Sequence, residues 1–211
     1  MSDPTTAADP GDGPARPGRR VGILGGTFDP PHVGHLVVAL DVLDALDLDE
    51  VVLMVAGDPW QKRDRPVTPA ADRLAMVEAA VAGVPGLAAG TDEVDRDGPT
   101  YTVDTLEALR TAEPARELFL VLGTDAAAGL TTWHRWSDLS SLATLVVVDR
   151  PGAPAPVSEF PVPVVRVPVA QVELSSSELR RRAAAGRTLR FLVPDAVCAV
   201  VAERELYGGR R

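Results

Sequence analysis

Residues 21–35 read VGILGGTFDPPHVGH, and this stretch decides the architecture of the chain. The apolar run at 21–24 predicts a buried strand, Gly25 and Gly26 follow it, and a helical pattern begins near His35. Backbone N–H groups at a helix start carry partial positive charge, and glycines let an anion approach them without a Cβ in its way. The segment therefore predicts a strand, a glycine turn and a helix start that together bind a phosphate-like anion.

Two histidines add chemical groups to this predicted site. His32 and His35 stand one helical turn apart, so their rings are expected to lie on one face and to reach the same anion, while Gly34 keeps the surface between them flat. The chain has no GxxxxGK[ST] pattern, and its glycines lack the three-glycine dinucleotide spacing. The alternative interpretation is an ordinary strand-to-helix connection with two surface histidines.

Composition limits the classes of function. The chain has 211 residues, which suits one domain with a sizeable core, and its formal net charge of −9 argues against broad binding of nucleic acid or anionic membrane. Neither a secretory signal nor a run of about 20 apolar residues is found, which predicts a cytoplasmic protein. Residues 1–18 lack periodicity and are predicted to form a disordered tail before a single domain at 19–211. Cys198 is predicted to be buried and inert in a helix. A homo-oligomer is left open.

Short apolar runs alternate with helical patterns along the rest of the chain. The runs predicted as strands are 21–24, 51–55, 118–122 and 144–148, with an edge strand at 164–167. The predicted helices are 35–46, 69–81 with Thr68 as cap and Pro69 at its first position, 102–111, 177–185 and 194–205. This alternation predicts an α/β protein with a doubly wound parallel sheet. In such sheets ligands bind beyond the carboxyl ends of the strands, so the loops at Gly25 and at 123–125 are expected to be neighbours.

A second predicted anion site lies at residues 174–180, LSSSELR. Ser176 and Ser177 stand just ahead of a predicted helix, and Arg180 lies one turn inside it, so hydroxyls, free N–H groups and a guanidinium are expected to converge on phosphate oxygens. The alternative interpretation is a Ser-x-x-Glu capping box followed by solvated arginines.

These two stretches resemble the signatures of the nucleotidyltransferase family, HxGH and Ser-Ser-Ser with an Arg three residues later. The family moves a nucleotidyl group from a nucleoside triphosphate to a phosphate and releases pyrophosphate on a Rossmann-like fold. The resemblance implies catalytic roles for His32, His35 and Arg180. It implies ATP or phosphate contacts for Gly25, Gly26, Thr27, Phe28, Gly34, Ser176 and Ser177. Lys62 and Arg150, positive side chains on loops after apolar runs, are predicted to contact phosphate as well.

Four further segments resemble one branch of that family, the bacterial nicotinate-mononucleotide adenylyltransferases. The segments are GPTYTVDTL at 98–106, GTD at 123–125, WHRW at 133–136 and PWQK at 59–62. The resemblance implies that Tyr101 and Thr102 hold the nicotinate carboxylate through backbone N–H groups and that Trp133 stacks on the pyridine ring. It also implies that Gly123 and Asp125 lie near ATP, with the carboxylate close to the ribose or ordering a metal-bound water. Core packing is the alternative role for the aromatic residues.

The implied reaction transfers the adenylyl group of ATP to nicotinate mononucleotide, giving deamido-NAD and pyrophosphate in NAD biosynthesis. Mg²⁺ is expected on the ATP phosphates and not in a protein ligand cluster. Other acceptors are the amidated mononucleotide, phosphopantetheine or a flavin mononucleotide, and the Thr100-Tyr101-Thr102 and Trp133 segments argue against the last two. A non-catalytic nucleotide-binding regulator is the alternative from another class. The chain departs from the family pattern at 55–58, where VAGD replaces a segment that usually contains proline and puts Asp58 near the predicted anion pocket.

Overall fold

The computed structural model describes residues 18–58, 67–96, 98–149, 160, 162–170 and 172–208. Within these residues, six parallel strands form one sheet in the order β3-β2-β1-β4-β5-β6. The strands are β1 (Arg20–Gly26), β2 (Glu50–Val55), β3 (Leu87–Gly90), β4 (Glu117–Gly123), β5 (Thr144–Asp149) and β6 (Val165–Pro168). The strand order reverses between β1 and β4, and such a reversal opens a crevice at the carboxyl edge of a parallel sheet.

Helices cover both faces of this sheet. Those in the described residues are α1 (Val33–Ala45), α2 (Ala70–Val81), α3 (Thr102–Ala112), α4 (Thr124–Ala128), α5 (Leu139–Leu142), α6 (Ser176–Ala184) and α7 (Asp195–Glu203). Alternate residues of β4 point to opposite faces, as strand geometry requires. Phe119 and Val121 pack with α1 and α2, whereas Leu118, Leu120 and Leu122 pack with α3, α4 and α5. The predicted doubly wound parallel sheet is confirmed.

The predicted element boundaries needed several corrections. Gly25 and Gly26 are the last residues of β1 and not a turn, and α1 begins at Val33 with His32 as its N-cap residue. The cap expected at Thr68 is wrong, because Pro69 itself has the extended N-cap conformation (φ −47°, ψ 143°) and the helix begins after it. The strand β3, the short helices α4 and α5, and the short 3-10 turns at 130–132, 136–138 and 206–208 were not predicted.

The remaining expectations fall in two groups. Cys198 is half-buried rather than buried, although the burial that it has still raises the pKa of its thiol. Residues 1–17 of the predicted tail, Lys62 and Arg150 lie outside the described residues. None of the helices in the described ranges has the length and apolar character needed to cross a membrane.

Candidate functional site

In the described part of the chain, two cavities lie side by side at the carboxyl ends of β1 and β4. The larger has a volume of about 730 Å³ and the smaller of about 290 Å³. They share lining residues at the ends of these two strands and just after them, namely Leu24, Gly26, Thr27, Gly123 and Ala126. The two loops expected to be neighbours are therefore neighbours, and both cavities occupy the crevice where the strand order reverses.

The histidine pair stands in the larger cavity at the start of α1. The two rings are stacked with their centroids 3.7 Å apart and their planes 25° from parallel. The backbone N–H of His32 donates a hydrogen bond to Nδ1 of His35 at 3.1 Å, which fixes the second ring against the helix start. A Cβ at Gly34 would lie 3.0 Å from Nδ1 of His32, so glycine leaves the room that this ring occupies. The sequence placed both rings on one face, and the structure brings them into contact.

His32 is held in its neutral form by burial. Its exposed fraction is 6%, and within the described residues its Nδ1 atom has no hydrogen-bond partner. Burial disfavours the charged imidazolium and lowers the pKa of His32 to about 4. A neutral imidazole keeps one N–H donor and one acceptor nitrogen. The ring therefore offers an anion a hydrogen bond at neutral pH without carrying a full charge.

Phe28 explains why glycine is needed at position 26, the last residue of β1. This residue is buried, has a left-handed backbone (φ 49°), and places its ring edge-on to His35 with centroids 5.0 Å apart. A Cβ at Gly26 would lie 2.7 Å from the Phe28 ring, whereas a Cβ at Gly25 would meet no atom within 4 Å. Gly26 is thus required for packing, and Gly25 borders the open space that an anion needs.

The N-terminus of α6 is attached to the loop that follows β1. Ser175 caps the helix by accepting a hydrogen bond from the Glu178 N–H, as the capping interpretation expected, although the cap precedes the predicted site residues. The Ser176 hydroxyl donates to the carbonyl of Pro30 at 2.9 Å. Arg180 donates to the carbonyl of Asp29 at 2.7 Å and to Oγ of Ser177 at 3.1 Å. All three predicted residues of this segment line the larger cavity together with the histidines.

The smaller cavity is lined by the start of α3 and by aromatic residues. Tyr101 is the N-cap residue of α3 and Thr102 is its first residue, so the N-terminus of this helix lies at the cavity wall. Trp133 and His134 line the same cavity, and the His134 ring lies 4.4 Å from the Tyr101 ring. Tyr101 and Trp133 also pack against the core beneath β4. The packing and binding interpretations of these aromatic residues are therefore compatible.

A salt-bridge cluster attaches the Trp133 segment to α3. Arg135, whose backbone is left-handed (φ 49°), donates to both carboxylate oxygens of Glu107 at 2.6 and 3.2 Å. It also donates to Asp138 at 2.8 Å. This bidentate geometry is the kind in which a surface ion pair has a definite orientation. It fixes Trp133 relative to the helix start across the smaller cavity.

Sequence reasoning missed Arg73, a buried cation below the site. Its exposed fraction is 1%, and its guanidinium donates hydrogen bonds to four main-chain carbonyl groups. The acceptors are Thr68 at 2.8 Å, Thr27 at 3.0 Å, Ala56 at 2.6 Å and Gly57 at 2.9 Å. Helical spacing was the available signal, because Arg73 shares its helix face with the buried residues Met76 and Ala80.

Glu93 was also missed, and no sequence pattern marked it. The carboxyl is buried at the wall of the smaller cavity, where it accepts a hydrogen bond from the Thr105 hydroxyl at 3.1 Å. Burial raises its pKa, and the hydrogen bonds from Thr105 and Thr100 oppose that shift. Its contacts connect the loop after β3 to the first turns of α3.

The other predicted residues lie as follows. Gly123 ends β4, and Asp125 lies in the first turn of α4 with an exposed side chain at the larger cavity. Asp58 lines neither cavity, although it follows β2 closely. Within the described ranges, no three side chains among His, Cys, Asp and Glu are grouped so that they could hold a metal ion. The PWQK segment at 59–62 lies outside the described residues.

We expect Arg73→Lys to lower the free energy of unfolding by about 2–3 kcal/mol, because an ammonium cannot match four carbonyl groups in a planar fork and buried acceptors lose their partners. Urea unfolding near neutral pH measures this. Arg204→Lys is the matched control, since Arg204 makes an exposed ion pair with Asp72, the neighbour of Arg73 on α2. This control should change the free energy of unfolding by less than about 0.5 kcal/mol. Equal effects of the two variants would contradict the role of Arg73.

The buried neutral His32 predicts a pH dependence of stability. Because its folded pKa of about 4 lies below the ordinary value of 6.5, the unfolded chain binds the extra proton between these values. Stability should therefore be complete above about pH 6.5 and fall as the pH drops towards 4, by up to about 3 kcal/mol. Urea unfolding of His32→Asn should show a flatter profile, whereas His134→Asn, at an exposed position, should keep the wild-type profile. Identical profiles in wild type and His32→Asn would refute the assignment.

Proteins of similar sequence match this chain over almost its whole length. Residues 23–182 match the model of the cytidylyltransferase-like family. A protein of Corynebacterium kroppenstedtii named probable nicotinate-nucleotide adenylyltransferase is 46% identical over 191 residues, which are 89% of this chain and 90% of that protein. A protein of the same name from Geobacillus thermodenitrificans is 44% identical over 191 residues, covering 90% of this chain and 87% of its own length.

Comparison with solved structures gives the same fold. The nicotinic acid mononucleotide adenylyltransferase of Plasmodium falciparum, solved in complex with NaAD, superposes with a TM-score of 0.69 over 91% of this chain and 98% of that one. Its sequence identity is 16%, so this likeness concerns the fold alone. The family match and the sequence relatives decide the classification. The chain belongs to the cytidylyltransferase-like family, on the branch of the nicotinate-nucleotide adenylyltransferases.

Proposed function

We propose that this protein transfers the adenylyl group of ATP to nicotinate mononucleotide, forming nicotinate adenine dinucleotide and releasing pyrophosphate in NAD biosynthesis. The observation that carries the proposal is the pair of cavities with a shared wall. One cavity gathers groups that suit a triphosphate, and the other pairs a helix start with an indole. The names of the sequence relatives support the same reaction.

The shared wall suggests how the two substrates meet. With ATP in the larger cavity and the mononucleotide in the smaller, the α-phosphorus lies near Gly26, Thr27 and Gly123, and the described residues that the two cavities share carry no charge. A phosphate oxygen of the mononucleotide attacks that phosphorus in line, and the bond from it to the bridging oxygen of the β-phosphate breaks. The attacking phosphate is already anionic, so the protein supplies positioning and charge stabilisation and no side-chain nucleophile.

The two histidines suit the charge that develops on the phosphate oxygens. Because Nδ1 of His35 accepts the His32 N–H, the proton of a neutral His35 ring belongs on Nε2. That nitrogen is then a donor towards phosphate. His32, neutral through burial, adds a second donor from the same face. We also assign Gly25 and Gly26, at the end of β1, to the phosphate groups, and the dipole of α1 favours the same negative charge.

The leaving pyrophosphate is assigned to the α6 side of the larger cavity. Arg180, Ser176 and Ser177 lie there, and a guanidinium held by fixed acceptors is suited to phosphate oxygens. We include Lys62 and Arg150 as further phosphate contacts. Asp125, whose exposed carboxylate lines this cavity, would stand near Mg²⁺ carried by the triphosphate and would order a water of that ion, which would neutralise part of the phosphate charge.

The acceptor is assigned to the smaller cavity. N–H groups at the start of α3, at Tyr101 and Thr102, suit a carboxylate, because an anion at a helix N-terminus is favoured by the unpaired donors and by the helix dipole. Trp133 offers a flat face for the pyridinium ring. An acid group on the ring therefore fits this wall better than an amide does.

Pyrophosphate release by the purified protein with ATP and Mg²⁺ tests the proposal directly. Nicotinate mononucleotide should support release strongly and the amidated mononucleotide weakly. Equal use of both would keep the reaction and remove the argument for acid recognition at Thr102. ATP binding without release from any acceptor would instead favour a regulator that has no turnover.

We expect His35→Ala to lower kcat at least about a hundredfold with the fold intact, the scale of losing one preorganised donor to transition-state charge. Steady-state turnover measures the effect, and circular dichroism checks the fold. Thr111→Ala is the control, because Thr111 is exposed at the far end of α3 and lines neither cavity. Turnover of His35→Ala near the wild-type value would refute the assignment.

Trp133→Ala should raise the KM for nicotinate mononucleotide by roughly tenfold, since a stacked ring loses a contact of about 1–2 kcal/mol, and should leave the KM for ATP nearly unchanged. Trp136→Ala is the matched control, because Trp136 packs in the same core region and lines neither cavity. A rise in the KM for ATP alone would move Trp133 to the other substrate.

A further inference from the structure

Tyr207, near the end of the chain, reaches the loop that carries the histidines. Its hydroxyl donates a hydrogen bond to Oδ1 of Asp29 at 2.8 Å. The residue has a left-handed backbone (φ 65°) in the turn Leu206–Gly208, a conformation that is unfavourable for a side chain of this size. The ring packs against the cluster formed by α2, α6 and α7. The backbone of Tyr207 is therefore strained at the position from which its hydroxyl binds the Asp29 carboxylate, next to the proposed phosphate site.

Asp29 connects Tyr207 to Arg180. The carboxyl is buried, with an exposed fraction of 3%, and its second oxygen, Oδ2, accepts the Thr68 N–H at 3.4 Å. Oδ2 also lies 3.7 Å from the Arg180 guanidinium, which donates to the carbonyl of Asp29 at 2.7 Å. Arg73 adds a second positive charge nearby. Asp29 is thus held by Tyr207 on one oxygen and faces Arg180 with the other.

We propose that Tyr207 is a positioning residue for Arg180 and acts through Asp29. An arginine side chain has several rotatable bonds, and its direction depends on the acceptors that it meets. Here those acceptors are the main-chain carbonyl of Asp29 and the Ser177 hydroxyl, and the carboxylate oxygen Oδ2 of Asp29 faces the guanidinium as its ion-pair partner. By holding Oδ1, the phenol fixes the rotation of the carboxylate, and this rotation sets where Oδ2 meets the guanidinium. The inference deepens the proposed function, on which it rests for the role of Arg180 at the leaving pyrophosphate.

Packing alone is the competing role for Tyr207. Its hydroxyl also lies 3.6 Å from Sδ of Met76, a fully buried residue of α2. Phenylalanine keeps the ring and the packing and removes only the hydroxyl, so Tyr207→Phe separates the two roles. Met76→Leu is the matched control, because it removes the sulfur contact of the same hydroxyl and leaves the bond to Asp29 in place.

The first measurement is the binding of pyrophosphate by calorimetry, which requires no turnover. Tyr207→Phe should weaken pyrophosphate about three- to tenfold, the range of one hydrogen bond to a charged group acting indirectly. The KM for ATP should rise in the same proportion, while the KM for nicotinate mononucleotide stays within about twofold and the melting temperature falls by only a few degrees. Met76→Leu should leave pyrophosphate affinity within about twofold. Equal loss of affinity for both substrates would overturn the proposal.

A double-mutant cycle tests whether the effect passes through Arg180. In the Arg180→Ala background, Tyr207→Phe should cause no further loss of pyrophosphate affinity, because the group that the phenol positions is gone. Effects of the two substitutions that multiply would show a separate structural role and overturn the proposal. A wild-type protein that binds pyrophosphate but makes no dinucleotide would refute the proposed function while leaving this cycle interpretable.

A third measurement needs neither ligand nor turnover. The Nε–H signal of Arg180 in NMR spectra of the free protein can be assigned as the signal that Arg180→Ala removes. It should shift in Tyr207→Phe and stay in place in Met76→Leu. An unchanged signal in Tyr207→Phe would overturn the proposal even if the protein bound no pyrophosphate at all.

Discussion

A buried guanidinium determines the shape of the site. Taking the Arg73 cation out of water has a large desolvation cost, and four carbonyl acceptors offset it, with Asp29 nearby as the balancing charge. The acceptors lie at Thr27 after β1, at Ala56 and Gly57 after β2, and at Thr68 before α2. Thr27 and Ala56 both line the smaller cavity. The Arg73 side chain therefore helps to fix the relative position of loops that are far apart in the sequence.

The sheet could be predicted where the sequence carries a strong signal. The central strands are short apolar runs rich in Val, Leu and Ile, and most of their residues are buried. The strand β3 was missed because Leu87-Ala88-Ala89-Gly90 is short and has no β-branched residue, so its conformation comes from pairing with β2 and not from propensity. The start of α2 was predicted one residue too early, at Pro69, because an extended proline can itself occupy the N-cap position.

The parts of the site that could be predicted are those whose residues lie close together in the sequence. The histidines and the Ser-Ser-Ser-Glu-Leu-Arg segment are local patterns, and the structure brings both to one cavity. Arg73, Glu93 and Tyr207 act through partners far along the chain, as the pair formed by Tyr207 and Asp29 illustrates. A charged residue within a helical pattern is normally assigned to the solvent face, so only the spacing of Arg73 with buried residues opposed that assignment. Long-range pairing of this kind is a property of the fold and not of any segment.

The two cavities have five lining residues in common, and this proximity has a consequence for ligand design. Two fragments that each fill one cavity could be joined across Gly26 and Gly123 by a short tether. Joining them turns the second binding event into an intramolecular one, whose effective concentration reaches the millimolar range for short flexible tethers. A tethered molecule would then bind far more tightly than either fragment alone. It would also distinguish this protein from enzymes whose two pockets lie further apart, because the length of the tether becomes a selectivity filter.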